Sequence, residues 1–131
     1  MVRFIKHKIV EPCTLGVQGF FLTVFPTMKR VRWARGILNL RDFNEYLPHL
    51  HFKMESIKDV IHLIYPNCFV MTVDFKDAYF SVYIHPENRK WFQFLWNDQA
   101  FHFTCLPQGL TSAPRIFTKL LKPVLSHLRK L

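Results

Sequence analysis

VDFKDAYFSV, from Val73 to Val82, is the stretch on which the reading of this chain turns. It closes an apolar run, Cys68 to Val73, with a carboxylate, Asp74. A second carboxylate, Asp77, follows three places on, and an aromatic, Tyr79, two places after that. An apolar run ending in an acid predicts a buried strand, Cys68 to Asp74, that delivers its last side chain to a sheet edge. Carboxylate oxygens are the hard ligands Mg²⁺ takes together with water and phosphates. A strand-end carboxylate beside a tight turn can therefore hold a metal against a nucleotide. The plainer alternatives are an aspartate that caps a turn and a tyrosine that packs in the core.

On either side of this stretch the pattern alternates between strands and helices. Gly16 to Phe25 reads as a strand and Gly36 to Leu40 as its partner, with the basic segment Met28 to Arg35 as the tip of a hairpin. Ser56-Ile57-Lys58-Asp59 has the spacing of a capping box and opens a short helix to about Ile64, ended by Pro66. Trp91 to Trp96 and Ala100 to Cys105 flank Asn97-Asp98-Gln99 and read as a second hairpin. Ser112, Ala113 and Pro114 form a helix start, since proline is tolerated in the first turn. That helix runs to about Leu128, and Pro123 is expected to kink or break it. Phe80, Trp91, Phe92, Phe94, Phe117, Leu120 and Leu121 are core candidates. The class is α+β, antiparallel strands with helices packed on one face.

The chain has 131 residues, half of them apolar and 14 of them phenylalanine, which excludes a disordered polymer. Its net charge of +9 is unevenly spread. Seven Lys or Arg lie between Met1 and Arg35 against Glu11 alone, and five more follow from Arg115 with no acid. Such ends suit a polyphosphate partner; a solvated surface is the alternative. Cys13, Cys68 and Cys105 are odd in number and widely spaced, which argues against a disulfide framework or a zinc knuckle and for an intracellular protein, nucleus or cytoplasm unresolved. His49-x-His51 is a weak metal spacing. The start of the chain lacks a signal-peptide pattern, and the uncharged run Pro12 to Met28 is too short and too polar to cross a bilayer, so no membrane is expected.

The string VDFKDAYFSV resembles motif A of reverse transcriptases, and LPQGLTSAPRIFTKLL, Leu106 to Leu121, resembles motif B of the same family. ILNLRDFNEYL (Ile37 to Leu47) looks like the fingers segment after the nucleotide-binding hairpin. HFKMESIKDVIHLI (His51 to Ile64), IHPENRKWFQF (Ile84 to Phe94) and FHFTCLPQGL (Phe101 to Leu110) look most like DIRS-type retrotransposons, while retroviral polymerases share DAYFSV and LPQG. The resemblance covers about Lys8 to Leu131. Ordered blocks of this kind are far more specific than any lone motif. It implies one partial right-hand polymerase domain over 1–131, with fingers at about 16–67 and palm at 68–131. Family members carry a Tyr-x-Asp-Asp hairpin soon after motif B. This sequence has no Asp-Asp pair and no acid after Asp98, so a stop before that motif is expected.

The roles that follow are those the resemblance implies. Asp74 is the catalytic carboxylate and a ligand of Mg²⁺, with Mn²⁺ as an alternative, and Phe75 gives the metal its backbone carbonyl. Asp77 and Ala78 turn backbone amides toward the triphosphate, Asp77 serving equally as a helix N-cap. Tyr79 lies under the sugar and excludes a 2′-hydroxyl. Arg35 covers the base and phosphates, and Lys29 or Arg30 grips the terminal phosphate. Where the family has Asp-Gly at the hairpin tip, this chain has Val31 and Arg32. Gln108 touches the sugar and orients Arg35, and Gly109 lets the backbone approach the nucleotide. The implied partners are an RNA or DNA template-primer and deoxyribonucleoside triphosphates, and the implied chemistry is RNA-directed DNA synthesis by two-metal transfer. Against this stands a non-catalytic nucleic-acid-binding remnant of a transposable element, and a transposon fossil with no stable fold. Whether the chain is an enzyme stays open at this point.

Overall fold

Asn97 and Asp98 both adopt left-handed backbone conformations, with φ 48° and 59°. Two such residues in succession make the two-residue turn whose twist matches a β-hairpin, and Asn and Asp tolerate it best after glycine. They join β4 (Gln93–Trp96) to β5 (Gln99–Phe103), with Trp96 opposite Gln99 and Phe94 opposite Phe101. The hairpin is the one the sequence predicts. Its first strand starts later, because Trp91 and Phe92 belong to a 3₁₀ turn, Pro86–Phe92. This computed structural model describes residues 1–16, 19–28, 34–54 and 56–128, apart from the side chains at 2, 25–28 and 34–37.

Around that hairpin the strands run in the order β1-β5-β4-β2-β3, with β1 at Val10–Pro12, β2 at Phe21–Met28 and β3 at Ala34–Asn39. The first hairpin is also present, paired antiparallel from Thr23 opposite Asn39 to Met28 opposite Ala34. Its tip lies outside the described residues. β2 meets β4 in parallel through Phe21 and Leu22 only, an exception to the antiparallel expectation. Past Leu22, β2 has β3 alone beside it among the described residues, which accommodates Pro26 and its missing N–H. Gly19, two residues before this strand, lies against the backbone of the 3₁₀ turn: a Cβ there would stand 2.5 Å from the Lys90 carbonyl oxygen.

The core lies on this sheet. Phe94, Phe101, Phe103, Leu22, Leu38 and Val10 are buried together with Ile84, Leu106, Leu110 and Ala113 from the segments that follow. Phe4 of helix α1 (Val2–Lys6) packs edge-on against Phe80 and Phe103, at 5.7 and 6.2 Å. Of the remaining core candidates, Phe92 is buried and Phe80 half-buried, whereas Trp91 and Leu120 are exposed. Lys90 lies over the Trp91 ring at 5.2 Å.

Helix α2 is Arg41–Glu45 and α3 is Ile57–Ile61. The capping box of α3 forms: the Ser56 N–H and hydroxyl both donate to Asp59 Oδ2, at 2.7 and 2.8 Å. Those bonds hold the Asp59 carboxyl below its ordinary range. Helix α4, Ala113–Leu128, begins where the sequence places it and continues through Pro123 without a break.

One prediction fails. Cys68 to Asp74 is not a strand: the segment has no regular structure, Phe69 is fully exposed, and Val70, Met71 and Val73 are largely so. The physical reason is pairing. A strand exists only where a neighbour takes up its N–H and C=O groups. Among the described residues no strand pairs with this one.

Candidate functional site

Immediately after Asp74 the chain turns sharply. Asp77 takes a left-handed conformation (φ 54°, ψ 41°) and leads into a 3₁₀ turn, Ala78–Ser81. The turn is closed by Phe80 N–H on the Asp77 carbonyl at 2.8 Å and by the Ser81 hydroxyl on the Ala78 carbonyl at 2.6 Å. Asp77 occupies the N-cap position, but its carboxylate does not cap. It pairs instead with Arg3 of α1, at 2.9 Å. Asp77 thus holds the expected N-cap position without a side-chain cap, and Arg3 leaves the set of free basic groups.

The next residues tie motif A to motif B. Tyr83 pairs with Cys105 in an isolated antiparallel bridge. Ile84 N–H donates to the Thr104 carbonyl at 2.8 Å, and Leu106 N–H donates to the Val82 carbonyl at 2.9 Å. In an antiparallel bridge, residues before one strand and after the other leave from the same end. Ala78–Ser81 and Gln108–Gly109 therefore leave from a common end, although they are far apart in sequence. Thr104 is itself anchored, its hydroxyl and N–H both donating to the Ile9 carbonyl at 3.1 and 3.0 Å.

Burial explains how the second turn is presented. Leu106, Pro107 and Leu110 are buried, and Ala113 is 0% exposed, while Gln108 and Gly109 between them face solvent. Gly109 has φ 93°, a conformation open to glycine and strained for other residues. Asn44 of α2 grips this loop from the side: its Nδ2 donates to the Gly109 carbonyl at 2.9 Å, and its Oδ1 accepts from Thr111 N–H at 3.0 Å. Sequence reasoning missed Asn44. The only signal was its place in the block Ile37 to Leu47.

Phe117 of α4 links the two motifs through rings. Tyr79 meets it edge-on at 5.9 Å and Phe75 at 5.8 Å. Tyr79 is half-buried, as a core residue or as the wall of a site. Asp74 is exposed and makes no ion pair among the described residues. A carboxylate and a backbone carbonyl, from Asp74 and Phe75, are oxygen donors of the type Mg²⁺ takes. Among the described residues, however, no three His, Cys, Asp or Glu side chains gather into a metal-binding group. Lys29 and Arg30 lie outside the described residues. Arg35 sits on β3 opposite Thr27, and its side chain is likewise outside them.

A groove of about 390 Å³ opens beside the motif B helix start. It is lined in part by His49, His51, Phe52, Thr111, Ser112 and Arg115. The sequence signal here was the His49-x-His51 pair, which the structure sets beside Arg115 rather than a metal cluster.

At the far edge of the sheet, Glu11 stands opposite His102. It accepts from His102 Nε2 at 2.7 Å and from Arg89, which lowers the Glu11 pKa against the opposing effect of burial. All three cysteines are free. Burial pushes the Cys105 thiol up to about 11 and also raises Cys13.

A sequence profile of the family described as reverse transcriptase (RNA-dependent DNA polymerase) matches residues 26–131. This chain belongs to the reverse transcriptase family. It is 27% identical over 138 residues to the Gag-Pol polyprotein of koala retrovirus, covering 98% of this chain and 8% of that protein. The Pol polyprotein of feline endogenous virus ECE1 is 26% identical, with 98% and 13% covered. The chain thus spans about a tenth of the length of these relatives. In fold it is similar to the native protease–reverse transcriptase of prototype foamy virus, with a TM-score of 0.75 at 22% identity over 94% of this chain and 16% of that one. A foamy viral protease–reverse transcriptase solved in complex with double-stranded DNA gives 0.71 at 18% identity over 91% and 25%. The match is to the polymerase fold of reverse transcriptases, so the α+β expectation holds. Among the described residues, no helix is long and apolar enough to cross a membrane.

Proposed function

We propose that this chain comprises the fingers (about 16–67) and the first part of the palm (68–131) of a reverse transcriptase from a DIRS-type retrotransposon. Its ancestral reaction is RNA-directed DNA synthesis from deoxyribonucleoside triphosphates on a primed template, in an intracellular setting that its three free thiols fit. The observation that carries the reading is the bridge between Val82–Ile84 and Thr104–Leu106. It sends the turn holding Asp77, Ala78 and Tyr79, and the turn holding Gln108 and Gly109, out of one end of the same small structure.

In this reading each group has a distinct task. Asp74 and the Phe75 carbonyl are the chain's contribution to a Mg²⁺ site that needs further ligands from elsewhere. Bound there, the metal supplies charge neutralisation on the phosphates. The backbone at Asp77 and Ala78 faces the triphosphate. The Tyr79 ring, held on Phe117, walls off the sugar's 2′ position. Gln108 and Gly109 meet the sugar from the opposite turn, and Arg35 with Lys29 or Arg30 closes over the phosphates from the hairpin. These 131 residues by themselves are inactive, because a single free carboxylate does not hold two metal ions.

Primer extension on homopolymer RNA with Mg²⁺ or Mn²⁺ tests this. The chain alone gives no incorporation above an Asp74→Asn control. Joined to the remaining palm and thumb of a relative it gains activity, which Asp74→Asn abolishes. In that active form Tyr79→Val admits ribonucleotides. Incorporation by the isolated chain, or an active chimera indifferent to Asp74→Asn, sinks the assignment. A second reading, a nucleic-acid-binding remnant without chemistry, is favoured by the net charge of +9 and by the groove that holds His49, His51 and Arg115. A chimera that binds template-primer but never extends it selects that reading.

A further inference from the structure

Asn44 makes two hydrogen bonds that need a donor and an acceptor on one side chain. A primary amide carries a donor and an acceptor at fixed spacing. Nδ2 serves the Gly109 carbonyl and Oδ1 serves the Thr111 amide, so one planar group spans the loop immediately after Gln108. The loop is otherwise held by its buried ends, Leu106, Pro107 and Leu110, and by Ala113 N–H on the Leu110 carbonyl at 3.0 Å. Between those anchors the backbone at Gly109 and Thr111 is exposed, and water competes for its polar groups.

The other side of the clamp is equally fixed. Asn44 sits one turn into α2, with its own N–H on the Leu40 carbonyl at 2.8 Å. Leu40 is buried and directly follows β3, the strand that carries Arg35. Asn44 is therefore the covalent continuation of the hairpin on one side and the hydrogen-bonded holder of the Gln108–Gly109 turn on the other.

We infer that Asn44 is a positioning residue: it sets the Gln108–Gly109 backbone at a fixed place relative to the β2–β3 hairpin, and through it the closeness of that turn to a bound deoxynucleotide. This rests on the reading of the site given above. An Asn44→Leu side chain keeps the volume and loses both bonds. An Asn44→Asp side chain keeps the acceptor for Thr111 and loses the donor to Gly109. The two bonds are thus separable.

The test uses the 131-residue chain and two readouts in one NMR series. Amide exchange is measured at Thr111, and amide shifts at Gln108 and Gly109 are followed while dTTP is added with Mg²⁺. Asn44→Leu is expected to speed Thr111 exchange about tenfold and to weaken the dTTP response about tenfold, with β4 and β5 amides unchanged. Asn44→Asp is expected to keep Thr111 protected and still weaken the dTTP response. Wild-type Thr111 exchange in Asn44→Leu overturns the clamp. Lost protection with an unchanged dTTP response overturns the positioning role. A wild-type chain whose Thr111 is protected but which ignores dTTP overturns the site reading, and the nucleotide role of Asn44 with it. General loss of protection in β4 and β5 of both variants makes Asn44 a folding residue and also overturns the inference.

Discussion

Phe94 and Phe69 are the same residue in two very different places. Phe94 sits on β4, 2% exposed, stacked on Phe101 at 5.9 Å and tilted against Phe103 at 5.5 Å. Phe69 sits in an equally apolar run and is fully exposed. The same holds for their surroundings. Leu22, Phe101 and Phe103 are buried, whereas Ile57, Ile61, Leu63, Tyr65, Met71 and Val73 are exposed. Apolar composition does not separate the two regions. What separates them is whether a neighbouring strand satisfies the backbone and brings a second layer of side chains. In this chain β4 has β5 and β2 beside it, and the run after Cys68 has no strand beside it among the described residues.

The largest effect that sharpens this contrast is a matched pair of truncations. Phe94→Ala is expected to cost about 3–5 kcal/mol, the range for a large buried aromatic. Phe69→Ala is expected to stay within about 0.5 kcal/mol, as exposed positions do. Urea unfolding of both variants gives the comparison. Equal losses would break it.

Gly19→Ala probes the joint between β2 and the Pro86–Phe92 turn. The new methyl meets the Lys90 carbonyl at 2.5 Å, and backbone on both sides has little room to yield. A loss of about 1–3 kcal/mol is expected, typical of overpacking. It is read by the same unfolding titration, and a neutral variant would show that Gly19 does not pack against the Lys90 carbonyl.

A smaller effect comes from the sheet edge. The folded Glu11 pKa is lowered, first by the His102 hydrogen bond and also by Arg89, from an ordinary value of 4.5. A lowered carboxylate contributes stability that is complete above its unfolded pKa and is lost as pH falls through the folded one. Wild type is therefore expected to lose more stability than Glu11→Gln as pH falls from about 5 toward 3. Because Glu11 is half exposed, the difference is at most about 1 kcal/mol. Parallel acid limbs in urea titrations at several pH values would remove Glu11 from the account.

Local signals were readable in the residues. The second hairpin follows from Asn97 and Asp98, the α3 cap from Ser56 and Asp59, and the α4 start from Ser112 to Pro114. Each depends on neighbours in sequence. The first hairpin was readable as a pair, though its strands run further toward the tip than the pattern of Gly16 to Leu40 indicated. The misread strand, Cys68 to Asp74, depends on a partner distant in sequence, and apolar runs do not announce whether one is present. The site divides the same way. The turn residues Asp77 to Tyr79 and Gln108 to Gly109 were singled out as candidates through resemblance. Asn44 and the Arg3–Asp77 pair were missed, because hydrogen bonds between remote segments leave no pattern along the chain.

The proposal that both functional readings share is that this chain presents a surface for a template-primer duplex, with Arg115 as one of its phosphate contacts. The measurement is the affinity for an RNA–DNA hybrid across a salt titration, for wild type and Arg115→Ala. Binding through phosphates releases counterions, so affinity falls steeply with salt and is the same for unrelated sequences. Removing one phosphate-contacting arginine lowers the slope by about 1. The account expects a steep wild-type slope, equal for two unrelated hybrids and shallower in Arg115→Ala. A salt-insensitive constant, or a strong preference for one base sequence, would contradict it.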